Sequence, residues 1–164
     1  MKDFPARKLK RALQIGTVGL GGNHPVSVQS MTTTKTADAS STIAQIRQLQ
    51  EAGCEIVRVA VPDMAAAQAL STIKEAVEIP VVADIHFDYR LALEAIARGI
   101  DALRLNPGNI TDREQVKTVV RAAKEKKIPI RIGVNAGSLD KAMLEKHGGH
   151  ATPDALVESA LQHV

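Results

Sequence analysis

The sequence has no tryptophan, one tyrosine and two phenylalanines among its 164 residues. Its core must therefore be aliphatic, and no array of rings is available to stack on single-stranded nucleic acid. A single cysteine, Cys54, excludes an internal disulfide and a cysteine-rich metal or iron–sulfur site within the chain, and it suits a reducing compartment. No apolar run approaches the roughly eighteen residues of a membrane span, and the basic N-terminus is not followed by a signal-type apolar region. The expected location is cytoplasmic, with no membrane partner. The body also lacks positive charge. Of a net +3, Lys2, Arg7, Lys8, Lys10 and Arg11 against Asp3 put +4 into the first eleven residues, which leaves no basic surface for nucleic acid.

What is present is a 45% hydrophobic, 24% charged chain of globular composition, long enough for one domain. From Val26 onward a β-branched run, a Gly or Pro punctuation and an amphipathic stretch recur in series. The strands expected are Val26–Met31, Ile56–Val61, Val81–His86, Ala102–Asn106 and Ile128–Asn135, spaced to allow one helix per crossover. Asp38, Asp63 and Asp88 are expected to cap the first three helices, and Thr111 with Glu114 forms a capping box for the fourth. In that fourth helix Val116, Val119, Val120 and Ala123 are expected to face inward. Thr152-Pro153 starts a fifth, and the segment Gly137–Gly149 reads as a long loop with room for a short helix.

Two all-parallel architectures compete, an open doubly wound sheet and a (β/α)8 barrel. Within the expected strands, Val57, Val59 and Val61 flank Arg58 and Ala60, Leu103 and Leu105 alternate with Arg104 and Asn106, and Ile130, Ile132 and Val134 alternate with Arg131, Gly133 and Asn135. A sheet covered by helices on both faces would read as nearly continuous apolar runs. Alternation favours the barrel, with apolar side chains under the helices and polar ones in the lumen. The expected fold is thus a TIM barrel of which about five βα units are present. Since a whole barrel has eight in roughly 250 residues, the chain reads as truncated.

Arg58, Arg104 and Arg131 fall at comparable positions on three strands and share the lumen face by parity. Unpaired cations inside a barrel require an anion. Asp84 can neutralise one, and the guanidinium fork matches phosphate or carboxylate on a ligand; the plainer reading is an internal Arg–Asp network with no ligand. Asp84 and His86 share the C-terminal end of the third strand, where barrel enzymes place catalytic groups. The alternative for them is a structural pair. Asn106 and Asn135 offer amides to ligand oxygens, or else serve turns, as Asn106-Pro107-Gly108-Asn109 would. Gly19-Leu20-Gly21-Gly22 precedes a strand, so it reads as a hairpin turn and not a phosphate loop. His147 and His150 read as solvated loop histidines before metal ligands, and no metal site is expected in the chain. Cys54 reads as a small buried thiol.

Four ordered runs, Val26–Thr32, Ala83–Asp88, Leu103–Asn109 and Arg131–Leu139, closely resemble the 4-hydroxy-3-methylbut-2-enyl diphosphate synthase family of the methylerythritol phosphate route to isoprenoids. The resemblance spans the chain from Arg7 to its end. It implies an oxidoreductase that opens and dehydroxylates 2-C-methyl-D-erythritol 2,4-cyclodiphosphate, using a 4Fe-4S cluster and electrons from flavodoxin or ferredoxin. It further implies a homodimer, a barrel that binds the cyclic diphosphate substrate, and a C-terminal domain that carries the cluster. Carried onto this sequence, Arg58, Arg104 and Arg131 would grip the diphosphate, while Asp84, His86, Asn106 and Asn135 would contact the rest, Asp84 and His86 as the catalytic pair.

The chain departs from the family in lacking the last barrel strands, a lysine and an acidic residue expected on them, and the cluster domain; Cys54 corresponds to no cluster ligand. Residues 1–164 are therefore expected to be the N-terminal part of the substrate-binding barrel, inactive alone. Two other readings compete: a non-catalytic fragment that at most binds diphosphates, and a different barrel enzyme similar to dihydropteroate synthase.

Overall fold

The computed structural model describes residues 10–86, 88–106 and 112–162. Five strands, β3 (Gln29–Met31), β4 (Ile56–Val61), β5 (Val81–Ile85), β6 (Ala102–Leu105) and β7 (Ile130–Ile132), form one sheet in sequence order. Every neighbouring pair is parallel. Each crossover holds one helix: α1 (Ala39–Glu51), α2 (Met64–Ala76), α3 (Tyr89–Ala97) and α4 (Arg113–Glu125). Strands laid down in strict order, with no reversal from which to wind the other way, build a barrel wall and not a doubly wound sheet. A 3-10 turn at Ala136–Ser138, α5 (Lys141–Lys146) and α6 (Pro153–Leu161) follow β7.

The two faces of the sheet separate by parity. Val57, Val59, Val61, Val81, Ala83, Ile85, Leu103 and Leu105 point outward into one core with Ile46, Leu70, Ile73, Leu91, Ile96 and Val119 of the helices. Alternate positions Ile56, Val82 and Ala102 point inward at the N-terminal ends of their strands, where Ile15, Val18 and Leu20 cover them. Those last three come from an antiparallel hairpin, β1 (Leu13–Ile15) and β2 (Val18–Leu20). The barrel floor is thereby closed with aliphatic side chains, and polar side chains are left to the layers above.

Aspartate caps start five of the described helices, where the sequence allowed only three to be assigned with one. Asp38, Asp63 and Asp88 accept from the backbone N–H of Ser41, Ala66 and Arg90. The fourth is Asp112, which accepts from Glu114 at 2.8 Å and Gln115 at 3.4 Å. It replaces the expected Thr111 capping box; Thr111 itself lies outside the described residues, as do the Pro107-Gly108-Asn109 turn and the first nine residues of the basic N-terminal segment. Asp140 caps α5 through Met143 N–H and Thr152 caps α6 through Ala155 N–H. Within residues 137–149 the short helix is Lys141–Lys146, capped by Asp140.

Further expectations are corrected. The first strand is Gln29–Met31 and not Val26–Met31, because pairing begins at Gln29 opposite Ile56 and the edge leaves Val26 81% and Val28 55% exposed. Val120 is exposed while Val119 and Ala123 are buried: the buried stripe of α4 centres on 119 and 123, and position 120 lies about 100° round the helix from 119. The hairpin turn falls at Gly16-Thr17, with Gly19 and Leu20 inside β2. Gly16 takes φ +52°, and a Cβ there would stand 2.9 Å from Pro80 Cγ, so both conformation and space select glycine at the turn. The third and fourth strands end one residue short of their expected limits, the usual uncertainty of element ends. The fifth is Ile130–Ile132 and not Ile128–Asn135, because only those three residues pair with β6 before the chain enters the 3-10 turn headed by Asn135.

Candidate functional site

Strand register sets the inner face in layers. Met31, Arg58, Val82 and Ala102 align across β3 to β6, and Ala60, Asp84, Arg104 and Arg131 align one layer further toward the C-terminal ends. His86 and Asn106 follow two residues beyond Asp84 and Arg104, hence one layer higher. The sequence-assigned residues other than Asn135 therefore converge on one face. Asn135 lies beyond β7, exposed, at the head of the 3-10 turn, where its carbonyl accepts from Ser138 Oγ at 3.1 Å and Ser138 N at 3.1 Å.

Asp84 is the hub. Its side chain is 6% exposed, one oxygen accepts from Arg104 Nη1 at 3.0 Å and the other lies 3.5 Å from Arg58 Nε. Arg58 Nε also approaches Met31 Sδ at 3.2 Å, and Arg104 Nη2 donates to the Gly133 carbonyl at 3.0 Å. A polar belt thus crosses the sheet from β3 to the residue after β7. Arg131 is held differently: its Nη1 donates to Gln29 Oε1 at 3.4 Å, and among the described residues no carboxylate lies within ion-pair distance of it. Among the described residues three guanidiniums face one carboxylate, an excess of two positive charges on this face. Low-dielectric walls of Val and Ile strengthen the field of that excess on an anion entering from the C-terminal side.

His86 is half-buried and Asn106 is 4% exposed, both within the fold's internal contacts. Beside them at the rim, hydrogen bonds from the Arg90 side chain and then its backbone N–H hold the Asp88 carboxyl below its ordinary pKa, which keeps the cap of α3 ionised.

Gln29, Met31 and Gly133 were not assigned as site residues from sequence, although each touches one of the three arginines. Parity was the available signal: Gln29 and Met31 share the face of Arg58, and Gly133 that of Arg131.

His147 is corrected. It is no solvated loop residue without an acidic neighbour: it closes α5, its Nε2 lies 2.9 Å from Glu158 Oε2 on α6, and Thr152 Oγ1 stands 3.5 Å from its Nδ1. Lys146 pairs with the same Glu158. The expected signal was eleven residues away on the next helix, beyond any short motif.

Residues 10–164 match the GcpE TIM-barrel domain. The chain belongs to the GcpE family. Among GcpE-family relatives, 4-hydroxy-3-methylbut-2-en-1-yl diphosphate synthase (flavodoxin) of Maridesulfovibrio salexigens is 65% identical over 158 residues, covering 96% of this chain and 44% of its own. The enzyme of the same name from Anoxybacillus flavithermus is 57% identical over 164 residues, covering 100% of this chain and 45% of its own. The chain therefore spans under half the length of these relatives. A solved dihydropteroate synthase from Yersinia pestis superposes with a TM-score of 0.54 at 11% identity, over 93% of this chain and 58% of that one, a likeness of fold alone. Family membership displaces the dihydropteroate-synthase-like reading.

The residues present do not fit an iron–sulfur cluster. Cys54 is buried and its Sγ donates to Ile56 O at 3.0 Å, and the described residues contain no group of three or more His, Cys, Asp or Glu placed around a common point. No helix among the described residues is long and apolar enough to cross a membrane.

Proposed function

We propose that residues 1–164 form the N-terminal part of a GcpE-family substrate-binding barrel and grip the diphosphate of 2-C-methyl-D-erythritol 2,4-cyclodiphosphate. The observation that carries this is the charge imbalance of three arginines over one aspartate on an inner, partly buried face. An anion with several oxygens satisfies it, since each guanidinium presents several N–H donors in a plane. Arg131, exposed and with no carboxylate within ion-pair distance among the described residues, makes first contact. Arg58 and Arg104 are oriented for the same anion by Asp84. Because Asp84 already holds two arginines, its part is to fix their direction, and proton transfer falls to His86 one layer above. Asn106 and Asn135 supply amides to the carbon-chain oxygens of the ligand.

The relatives' names support the wider reading, in which the whole protein is an oxidoreductase of isoprenoid biosynthesis that takes electrons from flavodoxin. Ferredoxin as the other donor, a homodimer and a cytoplasmic location belong to the same proposal and rest on the sequence reading alone. This chain's share of that work is binding and orientation. A cluster and its electrons would enter from other residues.

Calorimetric titration of the chain with the cyclodiphosphate tests the proposal. Arg131→Ala should weaken binding roughly ten- to a hundredfold, from about 1.5 to 3 kcal/mol for a charge-assisted contact. Equal affinity would remove Arg131 from the site, and a wild-type chain that binds no diphosphate would sink the reading.

A further inference from the structure

We infer that Gly133 is the residue that positions Arg104: by having no side chain it lets the guanidinium occupy the space beside the backbone just past β7, fixed for anion binding. Gly133 shares the inner face with Arg131, two residues before it. A Cβ at Gly133 would stand 2.3 Å from Arg104 Nε, 2.7 Å from Nη2 and 2.8 Å from Cζ. The space a methyl group would need is thus filled by the guanidinium itself. Gly133 is not among the glycines of positive φ, so the backbone there admits any residue and only the space requires glycine.

The same residue also fixes the fork by contact. Its carbonyl accepts from Arg104 Nη2 at 3.0 Å, while Nη1 reaches Asp84 at 3.0 Å on the other side. Its own N–H donates to Leu105 O at 2.9 Å, which ties the seat to the strand from which Arg104 projects. Arg104 is thereby held at two points and packed against the Gly133 backbone, the rigid presentation of a planar fork that phosphate oxygens need.

A methyl group at 133 would meet only the far end of a flexible side chain. The guanidinium would lift off, both its hydrogen bonds would lengthen, and the strand would stay. Gly133→Ala should therefore change the position of Arg104 and spare the fold. A glycine kept for strand packing would behave in the opposite way. Lysine at 104 has no planar fork to seat, so its single ammonium should be nearly indifferent to the methyl group.

The test compares the wild-type chain, Gly133→Ala, Arg104→Lys and the double variant by thermal unfolding, by the 15N resonance of Arg104 Nε (identified by its loss in Arg104→Lys) and by titration with inorganic diphosphate. Gly133→Ala should unfold cooperatively near the wild-type midpoint, shift the Arg104 Nε resonance and weaken diphosphate binding about tenfold or more. Added to Arg104→Lys, it should weaken binding by less than about twofold. An unshifted resonance, a collapsed fold, or the same loss of affinity in both backgrounds would overturn the inference. Only the titration rests on the proposed anion site. If the wild-type chain binds no diphosphate, that reading falls, while the resonance and the unfolding midpoint still decide the placement of Arg104.

Discussion

Gln29 and Arg131 sit on the two edge strands of a five-stranded sheet, yet their side chains meet at 3.4 Å. Laid flat, β3 and β7 would be about 19 Å apart, with side chains perpendicular to the sheet and out of reach of one another. Their contact means that the wall curls until its edges face each other across the inside. Curvature of this kind turns three arginines on separate strands into one convergent site, because side chains on the concave face approach as the wall bends.

Removing the Asp84 carboxylate should destabilise the chain. Asp84→Ala leaves Arg58 and Arg104 facing each other without a counter-charge. Breaking one partner out of a buried pair typically takes several kcal/mol, but these arginine side chains are 25% and 15% exposed, and water reaching them lowers the expected loss to about 1–3 kcal/mol. Denaturant unfolding measures it. A midpoint equal to that of the wild-type chain would mean that the pair contributes nothing to stability.

The barrel and the inner arginines were legible because both rest on a period-two pattern that a strand cannot disguise: Val57, Arg58 and Val59 must alternate whatever surrounds them. The caps Asp38, Asp63 and Asp88 were legible for a similar local reason, whereas Asp112 was passed over for Thr111 because both precede the same helix by one turn or less. The seat of Arg104 on Gly133 was not legible, since it depends on how far a side chain from β6 leans over its neighbour. The Glu158 contacts with His147 and Lys146 join two helices, and no spacing rule within one helix reaches that far. The exposure of Val26 and Val28 follows from their place on an edge, which only the sheet order reveals.

Leu103→Ala should lower stability by about 2–5 kcal/mol. Leu103 is fully buried at the centre of the outer core, under the helices that cover β5 and β6, and with few aromatic residues in the chain no large neighbour can swing in to fill the void. A loss under about 1 kcal/mol in equilibrium unfolding would show that the core collapses around the gap.

Gly16→Ala should loosen the hairpin that closes the barrel floor. The left-handed φ of +52° strains an alanine, and its Cβ would press on Pro80 at 2.9 Å, for an expected loss of about 1–2 kcal/mol. Once the hairpin lifts, Ile56, Val82 and Ala102 lose their cover. A rise in binding of an apolar fluorescent dye should accompany the drop in midpoint. A dye signal like that of the wild-type chain, with the midpoint unmoved, would mean that the turn accepts a side chain.

The junction of α5 and α6 should weaken in acid, and Glu158 should be the reason. The Lys146 ammonium first, then the His147 ring, hydrogen-bond its carboxylate and hold its pKa below the ordinary value. A carboxyl group with a lowered native pKa adds stability that is complete above its unfolded value and is lost as pH falls through the native one. Amide exchange in Lys141–Lys146 and Pro153–Leu161 should therefore quicken as pH falls through the carboxylate range, after correction for the intrinsic exchange rate. Glu158→Gln, which cannot ionise, should exchange faster than the wild-type chain near neutrality and match it in acid. Parallel profiles for the two proteins would mean that the charge of Glu158 does not hold the helices together, and that the packing of Leu139, Met143 and Ala155 does so alone.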